Sequence, residues 1–199
     1  MFKQKDKQLT RNPTKTRQKR RLFLHVPPSS TRMLVLVCGP PGTGKSTVAE
    51  RVTDRLDGHL LRTDVVRKEL HPEPSYTAAE SAAVYDDLFK RARESLDVGE
   101  HVVLDGTFRE ASRRDRAAGV ADEAEVEFRI VRVTCEEAVV RERIAARVDD
   151  ESDADFEIHK QIKAEFEPIA AEHLVVDNSG TLAATLAAVN EAFPTVTPA

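Results

Sequence analysis

The sequence predicts an α/β fold: a five-stranded parallel sheet with helices on both faces, a three-layer sandwich. Three observations predict it. From residue 33 onward, short apolar runs alternate five times with helix-length stretches, a pattern that builds a parallel sheet covered on both sides. The first run, Met33–Cys38 (MLVLVC), is wholly apolar, as a central strand buried on both faces must be. It leads directly into Gly39-Pro40-Pro41-Gly42-Thr43-Gly44-Lys45-Ser46-Thr47, a glycine-rich turn that opens a helix.

The elements follow in order. Lys45–Leu56 carries Val48, Ala49, Val52 and Leu56 at helical spacing, and Asp57-Gly58 stops it. His59–Arg62 is a short second strand. Asp64–Leu70 starts a helix that His71-Pro72 and Pro74 end, because the residue before proline avoids helical backbone. Thr77 caps the next helix, Glu80 completes a capping box, and the helix runs to Val98 before Gly99. His101–Leu104 is the third strand, Glu110–Ala124 a polar helix and Glu127–Thr134 an alternating fourth strand. Glu136–Arg147 is helical, with Val139, Val140 and Ile144 on one face, and the acidic run at 149–155 is a solvated loop. Phe156–Phe166 is a helix ended by Pro168, His173–Val176 the fifth strand and Thr181–Phe193 the last helix. Nothing repeats internally, so the working domain spans 33–193, with a tail over 194–199.

Charge divides the chain in two. Residues 1–32 hold ten Lys or Arg and one acid, a net +9; residues 33–199 carry −13, with only five lysines. The basic stretch lacks periodicity and reads as a disordered extension. It has no apolar region and cleavage site of a secretory signal, and no run approaches the roughly 20 apolar residues that span a bilayer. The expected location is the cytoplasm. The acidic, lysine-poor body resembles proteins of salt-loving archaea, and it repels nucleic acid everywhere except a pocket. Cys38 and Cys135 each close an apolar run, belong to no metal-binding spacing, and read as buried, reduced thiols.

The chemistry begins at Gly39–Thr47. Gly-x-x-x-x-Gly-Lys-Ser between a strand and a helix is a phosphate cradle. The expected cofactors are therefore ATP and Mg²⁺, with Gly39, Pro40, Pro41, Gly42, Thr43, Gly44, Lys45, Ser46 and Thr47 around the nucleotide. Backbone N–H groups approach the phosphates and the helix N-terminus adds its positive end. Lys45 reaches the β- and γ-phosphates, and Ser46 supplies a Mg²⁺ ligand. Val102–Gly106 (VVLDG) carries Asp105 to a strand end, where it orients the metal's water shell or holds the acceptor.

Asp64 and Arg67 are expected together at the end of the second strand. Their i,i+3 spacing points both side chains the same way. Asp64 there can take the proton of an attacking hydroxyl, or can cap the following helix. Arg67 can clamp an anionic part of the acceptor. Arg143 and Arg147 share a helical face and can neutralise the transferring phosphoryl, or can pair with surface acids, as Arg141 does. Arg109, Arg113 and Arg114 are weaker acceptor candidates, since a solvated helix face also accounts for them. Asn178, in the turn after the fifth strand, is placed near the adenine, though turn chemistry also explains it. The histidines show no metal spacing and carry no assigned role.

These motifs resemble the small P-loop kinases of the polynucleotide kinase type, with gluconate and shikimate kinases, chloramphenicol phosphotransferase and zeta-toxin-like kinases as wider relatives. The resemblance covers about residues 33–190. It rests on GPPGTGKST, the T-D-x-x-R of Thr63–Arg67, Leu104–Phe108 (LDGTF) and the Arg143/Arg147 pair, while Ser152–Ile169 looks like a lid and its following helix. Where the family often has a polar pair such as Thr-Asn after the strand-three Asp, this chain has Gly106-Thr107. The resemblance implies strand order 2-3-1-4-5, with Cys38 and Cys135 at adjacent strand ends. It implies Asp64 as general base, Arg67 on the acceptor, and Arg143 and Arg147 as lid arginines that neutralise the transferring phosphoryl, with the lid near 147–156.

The function expected is transfer of the γ-phosphate of ATP to a hydroxyl of an anionic small molecule, nucleotide or polynucleotide. Nucleic acid enters only as a substrate end or through the basic arm. The alternative is a regulatory ATPase without an acceptor. A GTPase is excluded by the absence of an Asn/Thr-Lys-x-Asp guanine motif within the domain.

Overall fold

The computed structural model describes residues 32–146 and 156–195. Five strands, β1 (Met33–Cys38), β2 (His59–Arg62), β3 (Val102–Asp105), β4 (Glu127–Thr134) and β5 (Leu174–Asp177), form one parallel sheet in the order β2-β3-β1-β4-β5. The helices are α1 (Lys45–Leu56), α2 (Thr63–Leu70), α3 (Ala78–Asp97), α4 (Ala111–Glu123), α5 (Glu137–Ala145), α6 (Phe156–Ala164) and α7 (Leu182–Ala192).

β1 explains the three layers. Its residues alternate between two cores, and all but Met33 are fully buried. Leu34, Leu36 and Cys38 face a core built from α3 and α4 residues such as Val84, Leu88, Leu96 and Ala117. Met33, Val35 and Val37 face Val48, Ala49 and Val52 of α1 and Val189 of α7. Each fully buried Leu or Val of this strand contributes about 1.5–3 kcal/mol of transfer free energy. In an open sheet of this kind ligands collect at the carboxyl ends of the strands, and here β1, β2 and β3 deliver Gly39, Asp64 and Asp105 to that edge.

Several boundaries move by one or two residues. β3 starts at Val102 and includes Asp105, because Arg62 pairs with Asp105 across the β2–β3 ladder. β5 is likewise displaced to Leu174–Asp177 by its register with Val131–Thr134. The capping box of α3 is half as expected. Thr77 Oγ1 accepts from the Glu80 N–H, but the Glu80 carboxylate accepts from Ser75 N–H. Cys38 is opposite Arg132 in the β1–β4 register, so Cys135 lies three residues beyond it. Both thiols are free. Burial pushes the Cys38 thiol up to about 11, whereas Cys135 is only half-buried, which corrects its expected burial.

α6 ends at Ala164 rather than at Phe166 because the chain beyond it is captured by Arg114. Expected among the acceptor or solvent-facing arginines, Arg114 is 4% exposed. Its guanidinium donates to the carbonyls of Phe108 (2.7 Å), Arg109 (2.8 Å), Glu167 (3.0 Å) and Pro168 (2.9 Å). It thus ties the β3–α4 connection to the strap after α6. Arg114→Leu leaves these carbonyls without their donor and is expected to lower stability by about 2–4 kcal/mol. A fall in the urea midpoint at unchanged m-value checks it.

Candidate active site

The loop Gly39–Gly44 is held by its own carbonyls. Thr43 Oγ1 and Lys45 Nζ donate to Pro40 O, at 2.9 and 3.1 Å. Asn178 Nδ2 donates to Thr43 O at 2.9 Å, and His159 Nδ1 to Pro41 O at 2.6 Å. Pro40 and Pro41 carry no N–H and the Gly39 N–H donates to Thr107 O at 3.3 Å, so the amides that can serve a phosphate are those of Gly42, Thr43 and Gly44 and of the first turn of α1. Gly44 has φ 85°, and a Cβ there would collide with Asn178 Nδ2. Gly39 also has no space for a side chain, since a Cβ would approach Val133 O to 2.5 Å.

Ser46, at the start of α1, donates its hydroxyl to Asp105 Oδ2 at 2.7 Å. Arg62 Nη2 donates to Ser46 Oγ at 3.2 Å and its Nε lies 3.5 Å from Asp105 Oδ2. Asp105 is 4% exposed, and its Oδ1 is buried without a hydrogen-bond partner. A hydroxyl and a carboxylate oxygen with an unused lone pair are the hard donors that Mg²⁺ takes, alongside water and nucleotide phosphate. These residues fit the metal. No group of three or more Cys, His, Asp or Glu able to hold a metal occurs among the described residues.

Asp64 lies in the first turn of α2, after β2. It is not the helix cap: that position belongs to Arg62, and α2 has no side-chain cap. The capping alternative is thereby removed. Burial raises the Asp64 carboxyl above its ordinary range; Lys45 pulls it back and the Asp105 carboxylate raises it further. Asp64, Lys45 and Asp105 therefore share one electrostatic neighbourhood. Lys45, Asp64, Arg67, Arg109 and Arg113 line a single cavity of about 440 Å³, walled on one side by Ile158, Gln161 and Ile162 of α6.

Pro41 lines the cavity, while Pro40, Gly42, Thr43 and Thr47 lie in the loop or the first turn of α1. Arg109 lines the cavity, half-exposed, and pairs with Glu110 at 3.6 Å and Glu165 at 3.3 Å. Arg143 reaches the loop: its Nη1 lies near Gly44 and 3.6 Å from Cys135 Sγ. Arg147 and the lid near 147–156 fall outside the described residues, apart from Phe156 at the start of α6. Asn178 is buried, its Nδ2 on Thr43 O and its Oδ1 accepting from Thr185 Oγ1 at 2.7 Å. Expected beside the adenine, it braces the phosphate loop from the turn after β5. Arg141, expected in surface ion pairs, lies 4.3 Å over the Phe156 ring.

Two residues at this site have no part in the sequence reading. Arg62 directly precedes the Thr63-Asp64 pair at the end of β2, and that position was the available signal. His159 gives no local signal; it is 1% exposed, and only the packing of α6 on the loop sets its ring against Pro41.

Comparison with known proteins bears on the fold. Residues 34–169 match the family AAA_33, described as an AAA domain. An uncharacterized protein of Mycobacterium tuberculosis and its counterpart in Mycobacterium bovis are each 36% identical over 149 residues, covering 68% of this chain and 30% of their own length. The chain thus spans under a third of these curated relatives. Among solved structures, the Mycobacterium tuberculosis APS kinase shares the fold at TM-score 0.64 and 19% identity, covering 83% of this chain and 96% of that one. A gluconokinase from Sinorhizobium meliloti does so at 0.59 and 20%, over 82% and 93%. Kti12 of Chaetomium thermophilum does so at 0.63 and 18%, over 83% and 100%. The fold is that of the P-loop kinases.

Proposed function

The chain belongs to the AAA_33 family of AAA domains, and from that premise we propose that it is an ATP-dependent kinase that phosphorylates a hydroxyl of an anionic acceptor. The observation that carries this is the shared cavity of Lys45 and Asp64. A donor-phosphate lysine and a buried carboxylate on one cavity wall give a phosphoryl donor and a proton acceptor to the same substrate. A regulatory ATPase needs the first but has no use for an acceptor cavity lined by three arginines.

Bound ATP–Mg²⁺ supplies the electrophilic γ-phosphorus and shields its charge. The chain supplies the rest. Loop N–H groups and Lys45 grip the β- and γ-phosphates, and Ser46 and Asp105 hold the metal side. Asp64 takes the hydroxyl proton as the acceptor oxygen bonds to phosphorus and the bond to the β-phosphate oxygen breaks, releasing ADP. Its raised affinity for a proton suits a base that must hold one during transfer. Arg143, close to Gly44, together with Arg147, neutralises the equatorial oxygens. Arg67 and Arg109 orient the acceptor, and Arg62 steadies the Ser46–Asp105 pair. We assign this work to a domain over 33–193; no helix among the described residues is long and apolar enough to cross a membrane.

A screen of hydroxyl acceptors with γ-labelled ATP, at low and high KCl, tests the proposal. Label is expected on an anionic acceptor. Release of inorganic phosphate alone across a broad acceptor set would favour the regulatory ATPase.

A further inference from the structure

Resting on the kinase reading, the cavity lining narrows the acceptor's chemistry. Arg67 of α2 and Arg113 of α4 converge on one residue of α3, Ser81. Arg67 Nη2 donates to Ser81 Oγ at 3.4 Å and Arg113 Nη1 to Ser81 O at 3.4 Å. Each guanidinium lies over a tyrosine ring, Arg67 at 5.0 Å from the centroid of Tyr76 and Arg113 at 3.8 Å from that of Tyr85. The stacking fixes the plane of each fork before any ligand arrives. Arg67 Nη1 is buried without a hydrogen-bond partner, and a charged donor left so is costly unless a ligand completes it.

The charge count points the same way. The lining carries Lys45, Arg67, Arg109 and Arg113 against Asp64 and Glu110. Lys45 serves the donor phosphates and Asp64 the hydroxyl proton. That leaves three arginines against two carboxylates: Glu110 pairs with Arg113 at 2.9 Å, and Glu165, from outside the lining, meets Arg109 at 3.3 Å. One positive charge remains in excess, which calls for an anion, and the number of guanidinium forks then distinguishes a phosphate from a carboxylate. A carboxylate is satisfied by one fork; two forks from different helices that both reach Ser81, one at its hydroxyl and one at its carbonyl, suit a tetrahedral phosphate with more oxygens to share. We propose that the cavity selects an alcohol already bearing a phosphate monoester, held by Arg67 and Arg113 with its hydroxyl toward Asp64.

The test is titration of inorganic phosphate into the full chain saturated with AMPPNP and Mg²⁺, so that the phosphate loop is already filled. One phosphate site per chain is expected. Arg113→Met and Arg67→Met should each weaken it at least about tenfold, and acetate at equal concentration should not displace it. Arg113→Lys, which keeps the charge but loses the fork, should also weaken it and guards against a folding defect. Absence of a phosphate site, or unchanged affinity in both Met variants, would overturn the proposal; displacement by acetate would replace the monoester with a carboxylate. Failure of the kinase reading would look different: phosphate would bind the loaded chain, yet label from ATP would reach no acceptor.

Discussion

Asp64→Asn lowers transfer from ATP to the acceptor by roughly 10²–10⁴-fold while nucleotide affinity stays near that of the parent chain. The substitution keeps the size of the side chain and removes only its ability to take a proton. Two further readouts separate a base from a residue that merely packs. In the parent chain kcat/KM should fall on the acid side around a pH above the ordinary carboxylate range, because burial, reinforced by Asp105, raises Asp64; that limb should vanish in the Asn variant. Stability should move the other way. A carboxyl that binds its proton more tightly folded than unfolded costs stability as pH rises through the interval between the two values, a cost fully present once pH exceeds the folded value. Asp64→Asn should therefore unfold at the same or higher urea concentration than the parent at pH 7. A variant that is both inactive and clearly less stable would make Asp64 structural.

Lys45→Met comes second in expected effect. Removing one preorganised cation from the phosphates should cost of order 10²–10³-fold in kcat, with weaker nucleotide binding besides. The fold should survive, since Lys45 Nζ makes its recorded contact with Pro40 O, and Thr43 Oγ1 holds that carbonyl too. Lys45 is also the cation that most lowers the Asp64 carboxyl. Any residual activity should accordingly show its acid limb at higher pH than the parent, which a simple loss of ATP affinity would not produce. Single-turnover rates at saturating ATP across a pH series check both effects. Full activity at saturating ATP would remove Lys45 from the chemical step.

Much of this was legible in the sequence because it is local. Strand β1 and helix α1 have the residue limits expected of them, since an unbroken apolar run and a helical repeat between glycines leave little alternative. The phosphate loop is a contiguous motif, and Asp64 and Asp105 follow from the rule that strand ends in a parallel sheet meet at one edge. Arginines were harder. Arg113 and Arg114 are neighbours on one polar helix, yet one faces the cavity over Tyr85 and the other is buried against four carbonyls.

By itself, then, the sequence determined the layers, the strand content and the phosphate-binding chemistry, each encoded within stretches of ten residues or so. Tertiary structure alone decided which polar side chains serve the site and which serve the scaffold. Asn178 and His159 are separated from the loop they brace by more than a hundred residues, and Arg67 and Arg113 meet only because α2 and α4 both pack against α3 at Ser81. A buried donor takes whichever acceptor the fold brings within about 3 Å, and that partner is set by packing between elements that no local pattern records.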